Sequence, residues 1–148
     1  ISTTRRKNFL KSINMIKKIE HIGIAVEDLN VAIPIYEKLF DVSCYKQEVV
    51  ASEAVKTAFF LLGDAKLELL EATEPNSPIA KFLEKRGSGF HHIAFEVDNI
   101  EKEIERLQKE EFSLLHMTPK DGADNKRIAF LHPKSGLGML IELCQEKS

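Results

Sequence analysis

Polar and apolar positions alternate with a period of two through HIGIAV (His21–Val26), and then the period lengthens. Across EDLNVAIPIYEKLF (Glu27–Phe40) apolar side chains recur at Leu29, Ala32, Ile33, Tyr36 and Leu39–Phe40. A strand feeding an amphipathic helix has this signature, because side chains alternate across a strand but return to one helical face every ~3.6 residues. Asp28, just ahead of the helical run, is placed to cap it with a short carboxylate. The same change of period occurs at HIAFEV (His92–Val97), followed by Ile100, Ile104 and Leu107, with Asp98 as the predicted cap.

These two stretches superpose. An offset of 71 that lays His21 on His92 also brings Val26 onto Val97, Leu29 onto Ile100 and Ile33 onto Ile104. AFF (Ala58–Phe60) falls on AFL (Ala129–Leu131), and a three-residue insertion then brings LEL (Leu67–Leu69) onto IEL (Ile141–Leu143). Strand-like runs follow each helix: Ser43–Val50, Val55–Leu62 and Ala65–Glu71 in the first half, with Gly63–Asp64 as a tight turn, and Phe112–Met117, Arg127–Leu131 and Gly138–Cys144 in the second. Ser77, Pro78 and Gly87 bracket a short connecting helix.

The expected class is therefore α+β, with two tandem βαβββ modules forming one open, curved, mixed sheet. A module of about fifty-five residues is marginal alone, so the pair is read as a single domain over residues 15–148. Module 1 is expected at about 16–74, the connecting helix at about 77–86 and module 2 at about 89–146.

Composition narrows the partners. With 43% hydrophobic residues in 148, the chain can fill one core, and a formal net charge of −2 leaves no basic face for nucleic acid. No apolar run approaches the ~20 residues that span a bilayer, so no membrane partner is expected. Cys44 and Cys144 are too few for a disulfide framework and read as reduced thiols of a cytoplasmic protein. The first fourteen residues, ISTTRRKNFLKSIN, are basic and acid-free and are expected to stand outside the fold. They read as a translated stretch ahead of Met15, or as a transit peptide, which would place the protein in the mitochondrial matrix.

The repeat also pairs polar residues. His21 falls on His92 near the start of each module, and Glu68 falls on Glu142, each glutamate set between Leu or Ile neighbours on a last strand. Singly, each histidine reads as a hydrogen-bonded structural residue and each glutamate as a solvent-facing one. Jointly, a pseudo-twofold would gather two imidazoles and two carboxylates in one cup, a donor set suited to Co²⁺, Ni²⁺, Mn²⁺ or Zn²⁺. Strand parity points His92 into that cup and His91 the other way, as a surface or supporting residue, unless a bulge reverses it.

The motifs HIGIAV, KLELLE (Lys66–Glu71), SPIAKFL (Ser77–Leu83), FHHIAFEVD (Phe90–Asp98) and IAFLHPKSGLGMLIEL (Ile128–Leu143) resemble the methylmalonyl-CoA epimerase family of the vicinal oxygen chelate superfamily. The resemblance runs from about Ile16 to Gln145. It implies a homodimer acting on an acyl-CoA, with a divalent ion, Co²⁺ before Mn²⁺, Ni²⁺ or Zn²⁺, held by His21, Glu68, His92 and Glu142. Some relatives carry glutamine where Glu68 stands. The implied reaction removes an α-proton from one face of the substrate and returns one to the other through an enolate, with the ion as Lewis acid.

Glu142 is the first candidate acid/base. The second carboxylate of some relatives aligns with Thr57, which is no base, leaving Glu53, Glu68 or an ion-bound water, with Glu48 further off. Lys126, Arg127 and Lys134 are candidate contacts for the CoA phosphates, and His132 reads as turn structure. A glyoxalase I-like lactoylglutathione lyase and a metal-free binding protein are the rival readings, with an extradiol dioxygenase behind them.

Overall fold

The computed structural model describes residues 15–148. The expectations for residues 1–14 lie outside the described residues. Eight strands form one sheet: β1 (Ile16–Ala25), β2 (Lys46–Val50), β3 (Val55–Leu62), β4 (Ala65–Ala72), β5 (Gly89–Val97), β6 (Lys120–Asp121), β7 (Lys126–Phe130) and β8 (Leu140–Glu146). Their order is β2-β3-β4-β1-β5-β8-β7-β6, which reads the same from either end once the modules are equated. In each module the opening strand runs parallel to the last (β1 with β4, β5 with β8), and the two opening strands pair antiparallel at the centre. The expected twin βαβββ architecture is present.

The helices α1 (Leu29–Phe40) and α3 (Ile100–Lys109) cover the outer face of the sheet. Leu29 and Ala32 of α1 pack with Ala58, Phe60, Leu67 and Leu69, while Ile100, Ile104 and Leu107 of α3 pack with Ala129, Leu131 and Leu143. Fully burying each Leu, Ile or Phe here contributes about 1.5–3 kcal/mol. Alternation consequently turns Glu68 and Glu142, between apolar neighbours packed under the helices, to the inner face. The connecting helix α2 (Pro78–Arg86) starts at Ser77, whose hydroxyl accepts from Ile79 N–H, and docks Ile79 against Val55 and Leu70. The β3–β4 hairpin turns at Gly63, whose φ of 63° suits glycine.

Three expectations need correction. The cap of α3 is Asn99, which accepts from Lys102 N–H at 3.0 Å, while Asp98 pairs with Lys17 at 3.0 Å. Phe112–Met117 is not a strand. Leu114 bridges Leu131 once, the chain loops out through His116–Pro119, and pairing resumes over only Lys120–Asp121. Pro119 has no N–H to give a continuous ladder. Leu39 is not part of the buried stripe but 68% exposed. Both cysteines are free, as expected, and no helix of the described residues is long and apolar enough to cross a membrane.

Candidate metal centre and active-site cavity

Where the two modules meet, His21 from β1, His92 from β5, Glu68 from β4 and Glu142 from β8 converge, none more than 6% exposed. His21 Nε2 lies 3.0 Å from His92 Nε2, 3.0 Å from Glu68 Oε2 and 3.2 Å from Glu142 Oε2. His92 Nε2 is 4.0 Å from Glu68 Oε2 and 3.9 Å from Glu142 Oε1. Ligand atoms held about 2.1 Å from one ion would stand ~3.0 Å apart at right angles and ~4.2 Å apart across it. The observed spacings fall in that range: His21, His92 and Glu142 offer ligand atoms all within 4.8 Å of one another and fit a divalent cation, with Glu68 Oε2 beside both imidazoles.

The electrostatics agree. Burial alone would depress His21, but Glu68, Glu142 and Glu20 around it hold its imidazole well above the usual range. His92 is driven well below that range by burial and by His21 and His91 beside it. Burial pushes the Glu142 carboxyl up, with Glu68 and Glu20 adding repulsion that His21 only partly offsets. Glu142 Oε2 is buried without a properly directed hydrogen-bond donor. A pocket that concentrates carboxylates and leaves one oxygen unserved favours positive charge within it.

Two irregularities in the central β1–β5 ladder supply partners that strand parity does not foresee. Along β5, Gly23 pairs with His92 and Ile24 with Phe90, so His91 is an extra, bulged residue. The expectation that His91 points away is therefore reversed: its Nδ1 lies 2.9 Å from His92 Nδ1, and it lines the same cavity as His92. Along β1, Ile19 pairs with Phe95 and His21 with Ala94, so Glu20 is bulged in the same way. Its carboxylate takes His21 Nδ1 and reaches Lys66 Nζ at 2.7 Å. Although burial opposes ionisation of Glu20, His21 and Lys66 prevail and hold its carboxyl down at about 2. Each converging imidazole is thus gripped at Nδ1, as metal-ligating histidines generally are. Gly23, opposite His92, leaves room for the ring: a Cβ there would lie 2.2 Å from His92 Cε1.

Glu68, His92 and Glu142 of the cluster line a cavity of about 290 Å³ whose walls include Val50, Val55, Leu70, Ile79, Ile128, Phe130 and Leu140, with His21 behind them. Glu53, on the single 3-10 turn after β2, also lines it, paired with Lys120 Nζ at 2.7 Å. Thr57 is buried in the wall and donates to Glu48 C=O, while the Glu48 carboxylate accepts from Asp124 N–H and lies outside the cavity lining.

Two of the three basic residues expected near the CoA phosphates are otherwise engaged. Lys126 is buried and pairs with Glu146 at 3.0 Å, and Arg127 is bonded to Glu101. Lys134 is exposed and outside the cavity, whereas Lys120 and His116, not singled out in the sequence, line it. His132 caps a 3-10 turn through Nδ1, a structural role.

The two ends of the sheet are drawn together across the mouth of the cup. Asp124, just before β7, receives Lys66 at 2.5 Å and Lys46 of β2 at 3.1 Å, and the Glu53–Lys120 pair joins the same two edges.

Residues 20–130 match the Glyoxalase/Bleomycin resistance protein/Dioxygenase superfamily. An uncharacterized Bacillus subtilis protein, YqjC, is 39% identical over 130 residues, covering 88% of this chain and 93% of that protein. The mitochondrial methylmalonyl-CoA epimerase of Dictyostelium discoideum is 38% identical over 129 residues, covering 86% of this chain and 78% of that protein. The crystal structure of methylmalonyl-CoA epimerase from Mycobacterium tuberculosis superposes with a TM-score of 0.87 at 32% identity, over 91% of each chain.

Proposed function

Because the chain belongs to the methylmalonyl-CoA epimerase family of the glyoxalase superfamily, we propose that it interconverts (2R)- and (2S)-methylmalonyl-CoA. One observation carries this reading: His21, His92 and Glu142 converge at cation-ligand spacing with Glu68 beside them, and His92, Glu68 and Glu142 line a cavity that a further carboxylate, Glu53, also lines.

His21, Glu68, His92 and Glu142 hold a divalent ion, Co²⁺ in preference to Mn²⁺, Ni²⁺ or Zn²⁺. When bound, that ion supplies Lewis-acid stabilisation of the negative charge that develops on the substrate's oxygens. The remaining work falls to the protein. The apolar wall formed by Val55, Leu70, Ile128 and Leu140 excludes water around the acyl group and strengthens every charge interaction there. Glu142 and Glu53 are the two proton carriers. They come from different modules and both line the cavity, where an inversion needs one carrier on each face of the substrate. Glu142 lines the cavity beside both imidazoles, and Lys120 holds Glu53 in place. The acting unit is a homodimer, which sedimentation velocity checks directly.

The deciding experiment incubates Co²⁺-reconstituted protein with (2R)-methylmalonyl-CoA in deuterated water. Loss of the α-proton signal in the wild type, abolished in Glu142→Gln, is the expected result. Absence of exchange in the wild type, alongside turnover of a glutathione hemithioacetal, would replace this reading with a lactoylglutathione lyase.

A further inference from the structure

The pseudo-twofold gives each converging imidazole a bulged partner, but the partners are chemically different. Glu20, behind His21, can only accept a hydrogen bond while ionised; His91, behind His92, can accept at one nitrogen and donate from the other. A nitrogen–nitrogen contact of 2.9 Å between His91 Nδ1 and His92 Nδ1 needs one N–H and one lone pair. If His92 gives the lone pair of Nε2 to a cation, its own proton resides on Nδ1, and His91 Nδ1 must be the acceptor. The proton of a neutral His91 then sits on Nε2. That nitrogen has no protein hydrogen-bond partner among the described residues and is not among their buried unpartnered atoms, and the ring lines the acyl-binding cavity. Phe82 of α2 meets the His91 ring edge-on at 5.0 Å, and His92 meets it at 89°, so the ring is fixed on both sides.

We propose that His91 is a positioning residue with two faces: it accepts from His92 and thereby presents an Nε2–H donor to a carboxylate or thioester oxygen of the bound acyl-CoA. Cation binding and substrate orientation are coupled through the ordering of this one tautomer. The proposal rests on the metal-dependent epimerase reading above.

Two substitutions separate the faces. In His91→Asn the amide oxygen can take the place of Nδ1 and accept from His92, but the side chain is too short to donate into the cavity. In His91→Gln the amide nitrogen reaches the place of Nε2, but the acceptor is lost. For the full chain, Co²⁺ affinity is measured by chelator competition, and malonyl-CoA affinity of the Co²⁺-saturated protein by calorimetry.

His91→Asn is expected to keep Co²⁺ affinity within about threefold and to lose about tenfold or more in malonyl-CoA affinity. His91→Gln is expected to lose about 10–100-fold in Co²⁺ affinity and, once saturated, to bind malonyl-CoA more tightly than His91→Asn does. Wild-type values for both ligands in both variants would overturn the proposal, as would parallel losses of both ligands in both. A wild type that binds Co²⁺ and exchanges the α-proton while the variants match it defeats this inference alone. A wild type that does neither defeats the epimerase reading, and this inference with it.

Discussion

Replacing Gly23 by alanine tests the site through a methyl group that touches no substrate. Gly23 sits in β1 directly opposite His92, and its backbone is not in the left-handed region, so conformational freedom is not what demands glycine here. Space is. An added Cβ would stand 2.2 Å from His92 Cε1, 2.4 Å from Nδ1 and 2.7 Å from Nε2. To restore an ordinary 3.4 Å contact the ring must retreat by about 1.2 Å, several times the ~0.2 Å tolerance of a metal–ligand bond. His92 lines the cavity, so its ring can be displaced into open space rather than into backbone, and the chain still folds. Overpacking costs about 1–3 kcal/mol, offset by the ~0.5–1 kcal/mol that alanine gains over glycine within a strand. The expected result is a modest fall in Tm without metal and a loss of about 100-fold or more in Co²⁺ affinity. At a Co²⁺ concentration 100 times the wild-type Kd, the wild type gains about 2.7 kcal/mol of stability and a variant weakened 100-fold only about 0.4 kcal/mol. Thermal denaturation with and without Co²⁺ reads this difference. A Gly23→Ala protein whose Co²⁺ affinity lies within threefold of wild type would refute the placement of His92 as a ligand.

Three further outcomes are expected. Glu20→Gln, which removes the charge behind His21 Nδ1, should weaken Co²⁺ binding about 10–100-fold in chelator competition while leaving the fold intact. Glu53→Gln should cut α-proton exchange by about 100-fold or more at saturating Co²⁺ without changing Co²⁺ affinity, because Glu53 lies outside the converging cluster; unchanged exchange would strike it from the proton carriers. Although burial opposes it, pairing with Lys66 and Lys46 holds the Asp124 carboxyl below its ordinary 3.8, so its stabilising contribution is present above that pH and is lost as pH falls below it. Asp124→Asn should therefore be less stable than wild type by about 1–3 kcal/mol in urea at pH 7, and the gap should close below about pH 4; a gap independent of pH would contradict the clasp.

How far the sequence reaches depends on how strongly each element is determined locally. The central strands and the helices were legible because burial on one face imposes an unbroken period, and the 71-residue offset then carried one module's assignment to the other. Asp28 can be recognised as a cap since it is the one short polar side chain ahead of its helix, and Ser77 since Pro78 marks the first helical position after it. Asp98 and Asn99 are adjacent and equally competent; Lys17, 81 residues away, holds Asp98 and leaves the cap to Asn99. Phe112–Met117 misled because its alternation resembles a strand while Phe112, Leu115 and Met117 are exposed, so nothing buried enforces the pattern. Lys126 misled in the opposite sense, since a lysine beside a site looks available until Glu20, Glu96 and Glu146 surround it.

Parity located the four converging residues and missed the two behind them, for one physical reason. In a regular strand, adjacent side chains leave on opposite faces, so a ligand and the group that grips it from the preceding position cannot share a face. A bulge removes that restriction by letting one residue slip out of the ladder. Two of the three register shifts in this ladder leave a residue bulged immediately before a histidine, at Glu20 and at His91, so alternation from each histidine onward is undisturbed and reads true: His21, Gly23 and Ala25 on one strand, His92, Ala94 and Glu96 on the other. The residue just before is turned to the wrong side of any parity count. A sequence trace of this does exist, since EH and HH each set two adjacent polar residues at the head of an otherwise alternating apolar run. A regular strand would gain nothing from the second polar residue. That the irregularity recurs at equivalent positions of two modules differing in most other residues argues that the grip on each imidazole is a requirement of the site rather than a by-product of the fold.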